Sequence, residues 1–161
     1  PNDPETAATP DATSKSPEGY IVATNNKPFV LNDFPTHIME FDLWLRNAIR
    51  AVRSMAPNGR ASQVYAWISR ITDPNGTREM WFLVPADMET YDNQIANFIM
   101  AKCEQLKKSK GITDFTLDLV RNLQTEDVIT SKQGRLFRGG EMLWIIVQYY
   151  STRKTLSRQY N

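Results

Sequence analysis

The stretch Glu141–Tyr150, EMLWIIVQYY, decides the fold, because apart from Glu141 and Gln148 every side chain in it is large and mainly apolar. Taken as a strand, it sets Met142, Trp144, Ile146, Gln148 and Tyr150 on one face and Leu143, Ile145, Val147 and Tyr149 on the other. Both faces then ask for burial. Just upstream, Gly134–Gly140 (GRLFRGG) reads as the end of a long polar loop, 122–140, with Gly139 and Gly140 letting the chain turn into the strand.

Working outward, DFTLDLV alternates Phe115, Leu117 and Leu119 with Asp114, Thr116 and Asp118, the pattern of a half-exposed strand. The runs SQVYAWISRI and REMWFLVP flank Asp73-Pro74-Asn75-Gly76, whose residue types suit a reversing turn, so they read as a hairpin. Two amphipathic helices complete the set. One carries Ile38, Phe41, Leu45, Ala48, Ile49 and Val52; the other starts after a possible cap at Asp87, carries Tyr91, Ile95, Phe98, Ile99, Cys103 and Leu106, and stops at Gly111. With short extended pieces between Tyr20 and Leu31, the order is β-α-β-β-α-β-β. It predicts an α+β fold: a mainly antiparallel sheet with two helices packed on one face.

The segment 1–19 is rich in Pro, Ala, Thr and Ser without a large apolar side chain, and is expected to be a disordered N-terminal arm. Residues 20–153 form the single expected domain, and 154–161 a basic C-terminal tail. Nineteen basic against eighteen acidic residues leave a charge of +1, which speaks against nucleic acid as the main partner. No apolar run reaches the roughly 20 residues of a membrane span, so no membrane partner is expected.

Catalytic groups are sparse. The single histidine, His37, suits a role at a helix start, and the single cysteine, Cys103, lies on an apolar stripe. Asp114 with Asp118, and Glu126 with Asp127, could serve a divalent ion or acid–base chemistry, but alternation alone explains the first pair as a solvated strand face, which is much the simpler reading. No catalytic, metal or cofactor residues are therefore assigned, and the protein reads as a non-enzyme without cofactors. The glycines of FRGGEM precede a strand and do not form a phosphate cradle.

A sheet with two apolar faces and only two helices leaves one face uncovered, which favours a homo-oligomer. The alternative is a sheet that curls on itself or is covered by the N-terminal strands and the long loop. Candidate interface residues are Arg135, Phe137 and Arg138 of that loop, together with Trp67, Trp81 and Trp144 of the strands. Aromatic residues on central strands, Tyr65, Trp67 and Trp81, also allow a second reading, an RNA-recognition-like nucleic-acid-binding module.

The succession FLVPA, an amphipathic helix, FTLDLV, a polar loop and LWIIVQYY resembles the tail terminator and tail completion proteins of long-tailed bacteriophages over about residues 80–153. That resemblance implies a structural virion protein, assembled in the host bacterial cytoplasm into a ring, commonly a hexamer. Such a ring caps the tail tube and joins it to the head connector. The implied partners are other copies of the chain, the tail tube protein and head connector proteins.

Overall fold

The computed structural model describes residues 28–160, with side-chain surroundings defined for 28–156. The elements are α1 (Phe41–Ser54), α2 (Ala61–Ile68), α3 (Glu89–Lys107), α4 (Asp114–Lys132) and α5 (Gly139–Tyr160). Short 3-10 turns lie at Ile38–Glu40, Ser69–Thr72, Arg78–Trp81 and Ala86–Met88. No strand occurs among the described residues, so the expected α+β sandwich is overturned in favour of an all-helical fold. The expected arm at 1–19 and the extended pieces over 20–27 lie outside the described residues.

The decisive stretch is a helix for a physical reason that its alternation concealed. Met142, Leu143, Ile145, Ile146, Tyr149 and Tyr150 are buried, Trp144 and Val147 are half-buried, and Gln148, Ser151 and Thr152 are exposed. Those buried positions follow the spacing i, i+1, i+3, i+4, i+7, i+8, a broad stripe on one side of a helix. A nearly continuous apolar run satisfies period 2 and period 3.6 together, and length has to arbitrate. Here the helix runs on through the residues expected to form a basic tail, as far as Tyr160.

The other expected strands yield in the same way. DFTLDLV opens α4, where Thr116, Leu119, Val120 and Leu123 are buried at helical spacing. Thr113 Oγ1 caps its start by accepting the Thr116 N–H at 3.2 Å. Most of the expected loop 122–140 is the continuation of this helix. The expected hairpin is α2 and two 3-10 turns around a reversal that does form: Asn75 N–H donates to Asp73 Oδ1 at 2.9 Å and Gly76 N–H to Asp73 O at 3.0 Å. The two amphipathic helices, α1 and α3, stand where their stripes put them. Asp87, expected to cap α3, lies in the preceding 3-10 turn and pairs with Arg60 at 3.1 Å.

Helix α5 is the spine. It packs on α3 and α4 and also touches the 3-10 turns at Ile38–Glu40, Ser69–Thr72 and Arg78–Trp81, while α1 packs on α2. Residues 28–37 run without regular structure and carry Phe29, Leu31 and Phe34 into the core. Phe29 meets Phe98 of α3 edge-on at 5.4 Å, and Tyr150 stacks on Phe41 at 4.3 Å while its hydroxyl donates to Pro35 O at 2.7 Å. The apolar surplus expected to need a partner is thus largely absorbed within one chain.

Alanine substitutions along α5 test this phase. Leu143→Ala and Ile146→Ala should each cost about 2–5 kcal/mol by denaturant titration, and Gln148→Ala about 0.5 kcal/mol or less. A strand would have put Ile146 and Gln148 on one face.

Candidate functional site

The densest polar cluster surrounds the first turn of α5. A helix start leaves N–H groups without intrahelical acceptors, and burying them is costly. Asp92 of α3, itself buried, answers two: Gly139 N–H donates to Oδ2 at 3.0 Å and Gly140 N–H to Oδ1 at 2.9 Å. Arg138 occupies the N-cap position, since Met142 N–H donates to its carbonyl at 3.0 Å. Its own N–H donates to Glu141 Oε1 at 3.3 Å, so Glu141 reaches back as the third helical residue of a capping box does.

The same Glu141 carboxylate, fully buried, accepts from Arg78 Nε at 2.7 Å and from both terminal nitrogens of Arg135 at 3.2 and 3.1 Å. Arg78 in turn reaches Glu126 of α4 at 2.6 Å. Burial acts to lower the pKa of Arg78, but its hydrogen bonds and charge contacts with Glu141 and Glu126 outweigh it and hold the pKa above its ordinary value. Each Glu141 oxygen serves two donors. Such a carboxylate offers no free lone pair at short range for a metal or a substrate proton.

Two glycines make this packing possible. A Cβ at Gly140 would overlap the Trp81 ring, and one at Gly139 would overlap the Asp92 backbone and the Ile95 side chain. Their role is close approach, and the expected turn into a strand does not occur.

The residues expected to form an interface do meet here, but mostly inside. Phe137 is buried, and Arg135 is spread over the Phe82 ring with its guanidinium carbon 3.7 Å from the centroid. Arg138 bridges to Glu89 at 2.8 Å and donates to Phe82 O at 3.4 Å. Trp67 and Trp81 are buried against each other at 5.9 Å, and Trp144 is half-buried on α5. Leu83 and Leu136, the chain neighbours of Phe82 and Arg135 at this braced corner, are 86% and 61% exposed. Sequence reasoning singled out neither: Leu83 sits inside the apolar run MWFLV, where nothing marks it as the exposed member, and Leu136 is a single leucine in a polar context with no periodic signal.

The remaining chemical groups are dispersed. Cys103 is buried, and burial together with the nearby Glu104 charge pushes its thiol pKa up to about 12, so its thiolate is suppressed at neutral pH. His37 is exposed before the first 3-10 turn and makes no side-chain cap. Asp114 sits in the first turn of α4, while Asp118 accepts from Tyr149 Oη at 2.9 Å and from Arg153 at 3.0 Å. Burial and that Asp118 hydrogen bond push the Tyr149 pKa up to about 12, while Arg153 opposes them. Among the described residues no group of three His, Cys, Asp or Glu side chains is placed to hold a metal ion.

One cationic surface stands apart. Arg46, Arg50 and Arg53 are exposed along α1 and, with Ile49 and Tyr65 of α2, line a hollow of about 300 Å³. Arg53 lies over the Tyr65 ring at 5.9 Å. The sequence marks these arginines as a solvated helix face; what it does not show is Tyr65 brought beside them.

Comparison with family models, curated proteins and solved structures finds no match.

The clamp makes two predictions. Gly140→Ala, which drives a methyl into Trp81, should cost about 1–3 kcal/mol in a denaturation experiment. Burial raises the Asp92 pKa in the folded protein, outweighing the two backbone N–H bonds and the Arg138 charge that lower it. The stability from a raised carboxyl pKa is full below the unfolded value, about 3.9, and declines as pH rises through the folded value. Set against the non-titrating Asp92→Asn variant, the wild type should therefore show its largest advantage in acid, shrinking as pH increases.

Proposed function

We propose that this protein is a non-catalytic assembly component that meets further copies of itself through the corner formed by Phe82-Leu83 and Arg135-Leu136. The observation that carries this reading is the pair of highly exposed leucines on a backbone already braced by Arg135 over Phe82 and by Arg138 against Glu89 and the Phe82 carbonyl. Bracing matters because a mobile loop loses conformational entropy when it docks, whereas this corner has met most of that cost on folding. Full burial of each leucine is worth roughly 1.5–3 kcal/mol, so four of them in a symmetric contact supply about 6–12 kcal/mol against an association cost of about 4–15 kcal/mol, and the surrounding surface supplies the surplus.

A ring-forming phage tail terminator, with a tail tube and a head connector as neighbours, is one specific form of this role. Its support is now the exposed corner, since FLVPA, FTLDLV and LWIIVQYY, the stretches that carried the resemblance, lie in turns and helices.

Light scattering after size exclusion tests the proposal. The wild type should run as an oligomer at tens of micromolar, within the usual range for modest interfaces. Leu83→Asp and Leu136→Asp should each move it to monomer while leaving the helix content by circular dichroism unchanged and abolishing the concentration dependence of the thermal midpoint. A monodisperse wild-type monomer overturns self-association, and rings in negative-stain images would support the terminator form.

A further inference from the structure

We propose that the outer face of α1, with Tyr65, is a binding site for single-stranded nucleic acid, independent of the leucine corner. Arg46, Arg50 and Arg53 lie within roughly a 60° arc of the helix at 3.6 residues per turn. Their spacing along the axis is about 6 Å and then about 4.5 Å at 1.5 Å per residue, comparable to the interval between neighbouring phosphates of a strand. All three are exposed, and none has an ion-pair partner among the described residues. Asp42, the acidic residue one turn before Arg46, has its carboxylate engaged by Lys154 at 3.4 Å.

What makes the face more than a row of cations is the aromatic beside it. The packing of α2 on α1 brings Tyr65 to the arginines, 47% exposed and next to the hollow of about 300 Å³. Cations tracking a backbone plus a π-face for a base is how strands without duplex structure are held. The second basic surface shows the contrast. There Lys107, Arg121 and Lys132 surround Val128 and Ile129, which offer a base no ring to stack on.

The near-neutral charge of the chain does not oppose this site. Residues 1–19 hold four carboxylates, Asp3, Glu5, Asp11 and Glu18, against Lys15, so the overall +1 divides into −3 for that segment and +4 for residues 20–161. The domain is basic, and the acidic segment masks that in the total.

The test is fluorescence anisotropy of the full chain with a labelled oligothymidylate of about 20 nucleotides, longer than the usual 4–16 per site. Affinity measured between about 50 and 200 mM salt should fall with a logarithmic slope near −2, three phosphates at about 0.7 each. Arg50→Ala should reduce that slope by about 0.7, and the triple Arg46→Ala, Arg50→Ala, Arg53→Ala variant should abolish binding. Tyr65→Ala should weaken affinity roughly five- to hundredfold with the slope unchanged, and Tyr65→Phe should restore it. The single variants keep the experiment decisive if the triple one fails to fold.

Absence of binding at low salt, or binding indifferent to the arginines, overturns the proposal. Polyphosphate competing as well as the oligonucleotide, with Tyr65→Ala silent, would make the face a bare polyanion site and overturn it too. So would sedimentation with phosphatidylserine vesicles that depends on the exposed Met39 and Leu43 and is not relieved by the oligonucleotide. Because none of these variants touches Leu83 or Leu136, failure here leaves the self-association reading standing, and the converse holds.

Discussion

Everything else in the fold depends on the buried start of α5. A central helix that begins inside the protein has N–H groups and a positive dipole end in a medium that cannot hydrate them. Asp92 from α3 takes the Gly139 and Gly140 N–H groups, and Glu141 takes that of Arg138. Glu141 would be an isolated buried charge without Arg78 and Arg135, and Arg78 extends the pairing to Glu126 on α4. One carboxylate thus fixes the helix start, and the other ties together the turn at 78–81, α4 and the 135–138 segment.

Arg135 and Arg138 are both engaged within the fold, Arg135 with the buried Glu141 and Arg138 with the partly exposed Glu89. Removing one partner of a buried ion pair is expensive because the other charge stays buried, so such residues are held to the fold before they are available to a partner. The two proposed recognition surfaces use groups outside the clamp. On one side these are the leucines it holds rigid at the corner; on another they are the arginines of α1 next to Tyr65. The two surfaces have opposite chemistry, apolar and cationic, which suits association with like copies and with a polyanion respectively.

Legibility of the sequence varied with how polar each segment is. Helices α1 and α3 carry charged residues between apolar ones, so only one period fits, and both stand where the sequence puts them. The reversal at Asp73–Gly76 was readable from the side-chain preferences of a tight turn. In α4, Phe115, Leu117 and Leu119 mimic alternation over a few residues, and the helical stripe emerges only when Val120 and Leu123 are counted. The candidate surfaces were less visible still. Arg135 and Arg138 look like solvent-facing cations until Glu141 and Glu89 are placed beside them, and Tyr65 has no link to Arg53 until α2 folds onto α1.

The sequence by itself determined the two amphipathic helices and the turn between Asp73 and Gly76. It also contained the capping signal of α5, a glutamate three residues after the N-cap. Only the tertiary structure decided that EMLWIIVQYY is a helix, because a run apolar on every side satisfies either period and takes its form from what surrounds it. Here its surroundings are helices and 3-10 turns, and the acceptors that make a buried helix start tolerable come from Asp92, 47 residues away in the chain.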